Sequence, residues 1–451
     1  MSASGLLALL AVSGAQVGVA HGQTLQDALS QAYSNNPTLQ TARAQLRVVD
    51  ENVPQALAGW RPTVTIAGSA GYNQGTARSR GIYADTDRQI GSAQATITQP
   101  LYNGGRTVSG TRRAENQVMA QRARLLAAEQ QVLSDTVAAY VAVIRDQETL
   151  RLNVNNVQVL RRQLDATNER FRVGEITRTD VAQSESRLAG AQSARANSEG
   201  TLQTSRATFA RLVGVAPERL VAPQPLSSPV RNAREAAELA SVNSPTVVAA
   251  LFDEAAGRDQ IDVQMSALLP SVSVQAQTFR SDNAQQQHTR ATGEQITATL
   301  SVPLYQGGAE HSAVRQARQD AIRLRQVIDD QRRASMQQAT QAWETLVAAR
   351  AQTDSVRSQI RAAEIALDGV QREAVVGSRT TLDVLNAEQE LLNARVSLVQ
   401  ALSNVVTSSY SLAAAVGRLT AKDLALPVPL YDMEAYYRTV RNKWFGTGDV
   451  S

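Results

Sequence analysis

Few side chains in this sequence could do chemistry, and those that could are not arranged for it. The 451 residues include no cysteine, which removes disulfides, thiolate metal sites and thiol nucleophiles. The three histidines, His21, His288 and His311, lie far apart and show no ligand spacing. No nucleophile stands beside a base, and the glycine pairs at 104–105 and 307–308 are not followed by the Gly-Lys-Ser/Thr of a phosphate-cradling loop. Acidic residues alternate with arginines along helical stretches, which is the pattern of a solvated helix face. The net charge of +4 is carried almost wholly by arginine, with Lys422 and Lys443 as the only lysines, and without a basic cluster it argues against nucleic-acid binding. The reading is a chain that is not an enzyme and has no catalytic residue, metal or cofactor.

What does recur is a set of Thr, Asp and Arg residues around two glycines. The first phrase is Val173-Gly174-Glu175-Ile176-Thr177-Arg178-Thr179-Asp180, and the second is Val376-Gly377-Ser378-Arg379-Thr380-Thr381-Leu382-Asp383. The glycines are 203 apart (377 minus 174), and so are the aspartates (383 minus 180). Each phrase interrupts a long helical pattern and is followed by another. Glycine permits a backbone turn closed to other residues, and a Thr ahead of an apolar-periodic run can cap a new helix. Both phrases therefore predict tight helix-to-helix turns.

The elements that position these turns are long. Arg106 to Arg172 holds no proline and, at 1.5 Å per residue, its 67 residues (172 minus 106, plus one) would reach about 100 Å. Seven-residue steps link Leu126, Leu133 and Tyr140, and again Leu150, Val157, Leu164 and Phe171. The counterpart, Ala309 to Val376, carries Ala321, Ile328, Ser335, Ala342, Ala349 and Val356 at the same step. Sustained heptads mean coiled-coil packing. After the turns, Asp180–Leu212 and Asp383–Ala415 return in the opposite direction, ending at Gly214 and Gly417. Two shorter helices, Thr24 to about Ala56 and its echo Ala233 to Met265, open the two halves.

Between the short and long helices the period falls to two. Val64, Ile66, Gly68, Ala70 and Tyr72 alternate with polar residues, and Ala93, Ala95 and Ile97 do the same in a partner strand. The second half repeats this with Val272, Val274 and Ala276, then Ile296, Ala298, Leu300 and Val302. Each hairpin ends in a matched phrase, Pro100-Leu101-Tyr102-Asn103-Gly104-Gly105 or Pro303-Leu304-Tyr305-Gln306-Gly307-Gly308, read as the sheet-to-helix junction. The offset between halves drops from 208 (Pro270 minus Pro62) to 203 (Pro303 minus Pro100), so the second hairpin tip is five residues shorter. The tips are polar. The chain thus reads as an export signal at 1–22, a first repeat at 23–230, a second at 231–426 and a short tail at 427–451.

No apolar run reaches the roughly 20 residues of a spanning helix, so any crossing of a bilayer must be made by strands. Four strands with one apolar and one uncharged polar face cannot close a barrel, and an open edge cannot exist in lipid. Copies must pool strands. Eight would be filled by their own side chains, whereas 12, from three chains, could leave an aqueous lumen.

The duplicated hairpins, the Pro-Leu-Tyr-x-Gly-Gly junctions and the turn Val-Gly-Ser-Arg-Thr-Thr-Leu-Asp-Val-Leu-Asn-Ala at 376–387 together make the chain resemble the TolC family of Gram-negative outer-membrane efflux and secretion ducts. The resemblance covers nearly everything after the signal. It implies an α+β membrane protein with internal duplication: a trimeric 12-stranded β-barrel in the outer membrane, continuous with a long periplasmic α-helical coiled-coil barrel. It implies a homotrimer in contact with outer-membrane lipid, a periplasmic adaptor protein, and an inner-membrane RND pump or ABC exporter. Small molecules or proteins would be the cargo. By motif position it makes Thr179, Asp180, Arg379 and Asp383 residues of a periplasmic gate, and Val173, Gly174, Val376 and Gly377 the adaptor-docking positions. Ala374 stands where the family's best-known member has a tyrosine, and Asn386 where it has a second inner aspartate, which implies a gate with fewer links and a less negative constriction. The plainer alternative for Arg379 and Asp383 is helix capping alone. For the whole chain the alternative is a periplasmic coiled-coil adaptor or scaffold, which would leave the four strands unexplained.

Overall fold

A computed structural model describes residues 22–79, 81–284 and 288–448. The expected export signal, apart from Gly22, lies outside the described residues, as does His21. No described helix is long and apolar enough to cross a membrane.

The element order repeats. Helices α1 (Leu25–Asn35), α2 (Pro37–Asp50) and α3 (Asn52–Leu57) precede strands β1 (Thr63–Ser79) and β2 (Ile82–Asn103), the long α4 (Arg106–Arg172) and the return helix α5 (Arg178–Val213). Then follow α6 (Ala233–Asn243), α7 (Pro245–Met265), β3 (Ser271–Asp282), β4 (Arg290–Ser301), α8 (Ala309–Val375), α9 (Thr381–Ala415) and a short α10 (Ala435–Val440). The early helix expected in each half is in fact broken. Proline bars its predecessor from helical geometry, so Asn36 and Ser244 sit at ψ 123° and 126° and become N-caps of α2 and α7. The apolar spacing runs in phase across both breaks and hides them.

The chain forms two compact units, each drawing on both halves of the sequence. One takes the chain up to Asn35, Asp135–Leu226 and Ala348–Thr407; the other takes Asn36–Ser134, Ser227–Val347 and the chain from Ser408. The first unit holds both glycine turns. Its internal ties include Tyr140, wholly buried, whose one hydroxyl proton is shared between the carbonyls of Gln23 and Val221, at 2.8 and 2.6 Å, and whose oxygen accepts from the Val221 amide at 3.0 Å. Burial pushes that phenol up to about 12.

The second unit holds the sheet, four antiparallel strands in the order β1-β2-β3-β4. Register gives each face its character. Val64, Ile97, Ala276 and Ile296 stand opposite one another in one row, and Thr65, Thr96, Gln277 and Gln295 in the next. The apolar row is uncovered: Val64, Ile66, Ile296 and Leu300 are 64–84% exposed. β1 and β4 each keep one edge unpaired. At the junction Gly104 takes φ 64°, and a Cβ there would come within 2.5 Å of the Ser266 carbonyl oxygen, so the phrase admits only glycine at that point.

Candidate functional site at the two helix turns

Both turns form by the same local chemistry. Gly174 and Gly377 take φ 80° and 79°. The amides of Gly174 and Glu175 donate to the carbonyls of Phe171 and Arg170, both at 2.9 Å, and those of Gly377 and Ser378 to Ala374 and Glu373 at 3.2 and 3.0 Å. These are the paired bonds of a Schellman motif, which satisfies the last carbonyls of α4 and α8 and requires a left-handed residue. The next helix then starts on a reciprocal cap. Thr177 donates from its amide and hydroxyl to Asp180 Oδ2 at 3.0 and 2.8 Å, and the Asp180 amide donates back to Thr177 Oγ1 at 3.4 Å. Thr380 and Asp383 repeat this at 3.0, 2.8 and 3.2 Å. The Thr380 amide and hydroxyl hold the Asp383 carboxyl below the usual carboxylate range.

Each turn also carries an ion pair, and the two are of opposite polarity. Arg170, in the last turn of α4, donates to Glu175 in the loop at 2.7 Å. At the second turn the loop residue is Arg379, which donates to Glu373 of α8 at 2.9 Å. Arg170 and Glu373 are themselves 203 apart, so the same site is cationic in one half and anionic in the other. The Arg170 guanidinium lowers the Glu175 carboxyl, and the Glu373 carboxylate raises the Arg379 guanidinium.

Of the residues predicted from sequence, Asp180 and Asp383 are the reciprocal partners of the capping threonines, Arg379 is bound to Glu373, and the four residues expected to dock an adaptor sit in the two Schellman motifs. Val173 and Val376 leave 77% and 78% of their surface exposed, and Val375 beside them 87%. Thr179 lies exposed in the first turn of α5. Sequence reasoning missed Arg170, Glu175 and Glu373, although the opposite charges at one offset were there to be read. It also missed Arg187 of α5, which donates to Asn386 of α9 at 2.8 Å. Nearby, Val157 and Leu160 of α4, Ala191 of α5 and Leu385 of α9 form one apolar cluster that fixes these helices against each other. Asn153 adds a buried 2.7 Å hydrogen bond to Ser198.

The model of the family described as "Outer membrane efflux protein" matches this sequence twice, over residues 28–215 and 236–418. The chain belongs to that family. The two matches start 208 residues apart (236 minus 28) and end 203 apart (418 minus 215), the same change of offset that the hairpins show. Outer membrane efflux protein BepC of Brucella suis is 35% identical over 426 residues, covering 94% of this chain and 92% of BepC. TolC of Escherichia coli is 25% identical over 428 residues, 90% and 84% of the two chains. The crystal structure of the Campylobacter jejuni CmeC outer membrane channel shares the fold, with a TM-score of 0.79 at 14% identity over 93% of this chain and 89% of CmeC. This efflux-family protein is accordingly an outer-membrane export channel extending into the periplasm. The family is one of channels and not of enzymes.

Proposed function

We propose that three copies of this chain close their sheets into a 12-stranded barrel, that their helices continue it as a periplasmic coiled-coil barrel, and that the two glycine turns of each copy form its closable mouth. The carrying observation is the sheet. It has one face of exposed Val, Ile and Leu, another of Thr and Gln, and two unpaired edges, which together suit lipid outside, water inside and a neighbour on each side. The assembly is a passive duct with no catalytic residue, metal or cofactor. It works in a tripartite efflux pump or a type I secretion system, joined by a periplasmic adaptor to an inner-membrane RND pump or ABC exporter.

Thr179, Asp180, Arg379 and Asp383 are the gate residues in this reading, and Val173, Gly174, Val376 and Gly377 the adaptor-docking positions. Support comes from the side chains' exposure and from charge. Threefold symmetry would bring three Asp383 near one axis, where Arg379 offsets their repulsion. The functional test is single-channel conductance in planar bilayers. Arg379→Ser is expected to raise it; unchanged conductance rejects the gate role and leaves Arg379 as a partner of Glu373 only. For the docking positions, the absence of native cysteine makes Val173→Cys and Val376→Cys clean cross-linking sites. Capture of a membrane-fusion adaptor at both is expected, and capture at neither rejects the assignment.

A further inference from the structure

The C-terminal tail climbs α4 towards the sheet. Arg122 donates to Glu434 at 3.0 Å, Arg441 to Glu115 at 2.9 Å, and Arg61 to the Lys443 carbonyl at 2.7 Å. Later tail residues thus meet earlier residues of the chain, and the last contact comes two residues (63 minus 61) before β1 begins. Between these points Tyr437 packs on Val53, Ala114 and Val118. The Arg61 guanidinium also lies 5.1 Å from the centre of the Trp444 ring. The tail is therefore a built element as far as the sheet-to-helix junction.

At its upper end the backbone turns at Gly446, φ 103°, and the Lys443 ammonium donates to the Gly448 carbonyl at 3.2 Å. This closes a small loop from which Trp444 and Phe445 project, 65% and 91% exposed. Even with Arg61 against the Trp444 ring, most of both aromatic surfaces stays open. Tyr102 and Tyr305 of the two junction phrases are also exposed, 43% and 84%. Aromatic rings gather at the headgroup level of a bilayer, where one part of the ring is apolar and another wet. Charges of both signs flank the loop: Arg61 and Lys443, Arg441 on Glu115 at 2.9 Å, and Glu51, which accepts from the Tyr436 hydroxyl at 2.7 Å.

We propose that Trp444 and Phe445 insert into the periplasm-facing phospholipid leaflet of the outer membrane, so that the tail is a strap setting the height of the barrel in the bilayer. This rests on the reading of the sheet as part of a membrane barrel. Insertion into lipid puts the tail on the outer side of the barrel. What brings lipid to it is the tail's arrival two residues before β1, the first strand of that sheet.

The protein has three tryptophans, Trp60, Trp343 and Trp444. The W60F/W343F variant, purified as the full chain and reconstituted in vesicles of phosphatidylglycerol and brominated phosphatidylcholine, is expected to lose roughly half its fluorescence relative to unbrominated vesicles. The W60F/W444F variant, reporting only on Trp343 far along α8, is expected to lose little. Equal responses overturn the proposal. Adding F445S to W60F/W343F is expected to weaken the quenching, because Phe445 helps to hold the loop in lipid; no change removes Phe445 from the anchor. A fourth variant, W60F/W343F/W444F with Ile296→Trp, reports on the sheet itself. Quenching there without quenching of Trp444 overturns the strap and leaves the barrel standing, whereas quenching at neither position overturns the barrel reading.

Discussion

Asp50 is fully buried on α2, and neither of its carboxylate oxygens has a hydrogen-bond partner. Burial pushes its carboxyl up to about 6, against a lowering by Arg122 and a further rise from Glu51. Tyr431 of the tail faces the same group, with Arg43 and Arg47 around it. Because the folded-state value lies above the unfolded one, the native state binds this proton more tightly. The contribution to stability is fully present below the unfolded value of 3.8 and is lost as the pH rises through about 6. Asp50→Asn is therefore expected to stabilise the protein at pH 7.5 by about 1–3 kcal/mol, with the gain fading near pH 4, as read from thermal melts across that range. The turn aspartates illustrate the opposite case, in which a local motif explains a residue almost completely. Thr24 with Asp27, and Thr420 with Asp423, make the same reciprocal bonds away from any mouth. Capping thus accounts for where Asp180 and Asp383 stand, and the proposed gate role would be an added use of a group that folding already requires. That much was legible from Thr and Asp at a spacing of three. The Arg187 bond to Asn386 was not, because its partners are 199 residues apart and no local pattern links them.

The long elements were the most readable. Period two marks both hairpins, and a proline-free run with heptads marks α4 to within a residue. The same heptad logic placed one side chain correctly in the packing without revealing what its hydroxyl does. Tyr140 fits the seven-residue step, yet what it does is hold two backbone segments from remote parts of the sequence, Gln23 and Val221, while its ring lies 6.2 Å from that of Phe209. Tyr140→Phe keeps the ring and removes the hydroxyl, leaving the Val221 amide without that acceptor and two carbonyls without that donor. A loss of about 1–3 kcal/mol is expected, measured as a lowered denaturation midpoint. In the sheet, neighbouring residues face opposite ways. Ile296→Arg puts a charge on the apolar face and is expected to cost about 2–4 kcal/mol if it lies near the bilayer midplane. Gln295→Arg, on the polar face, should be nearly silent. The yield of folded protein in outer-membrane fractions separates the two.

At the scale of the molecule, a protomer with two open strand edges needs partners to complete its hydrogen bonding. Outer-membrane fractions should therefore yield an assembly that migrates as a trimer without heating and as a single chain after boiling; a protein that is monomeric before heating would reject closure by three copies. The sequence shows the duplication plainly but not how the compact units draw on both repeats, because that division depends on which distant segments pack together. β2 pairs with β3 only from Gly91 onward, so its nine residues Ile82–Ile90 (90 minus 82, plus one) have β1 alone as a partner. At roughly 3.3 Å per residue the β1–β2 ladder runs about 30 Å past the last β2–β3 pair, Gly91 with Asp282. Repeated around a ring of three, these fingers would be the first part of the channel that an antibody or a phage arriving from outside encounters, and exchanging their sequence would change what recognises the cell without touching the passage beneath.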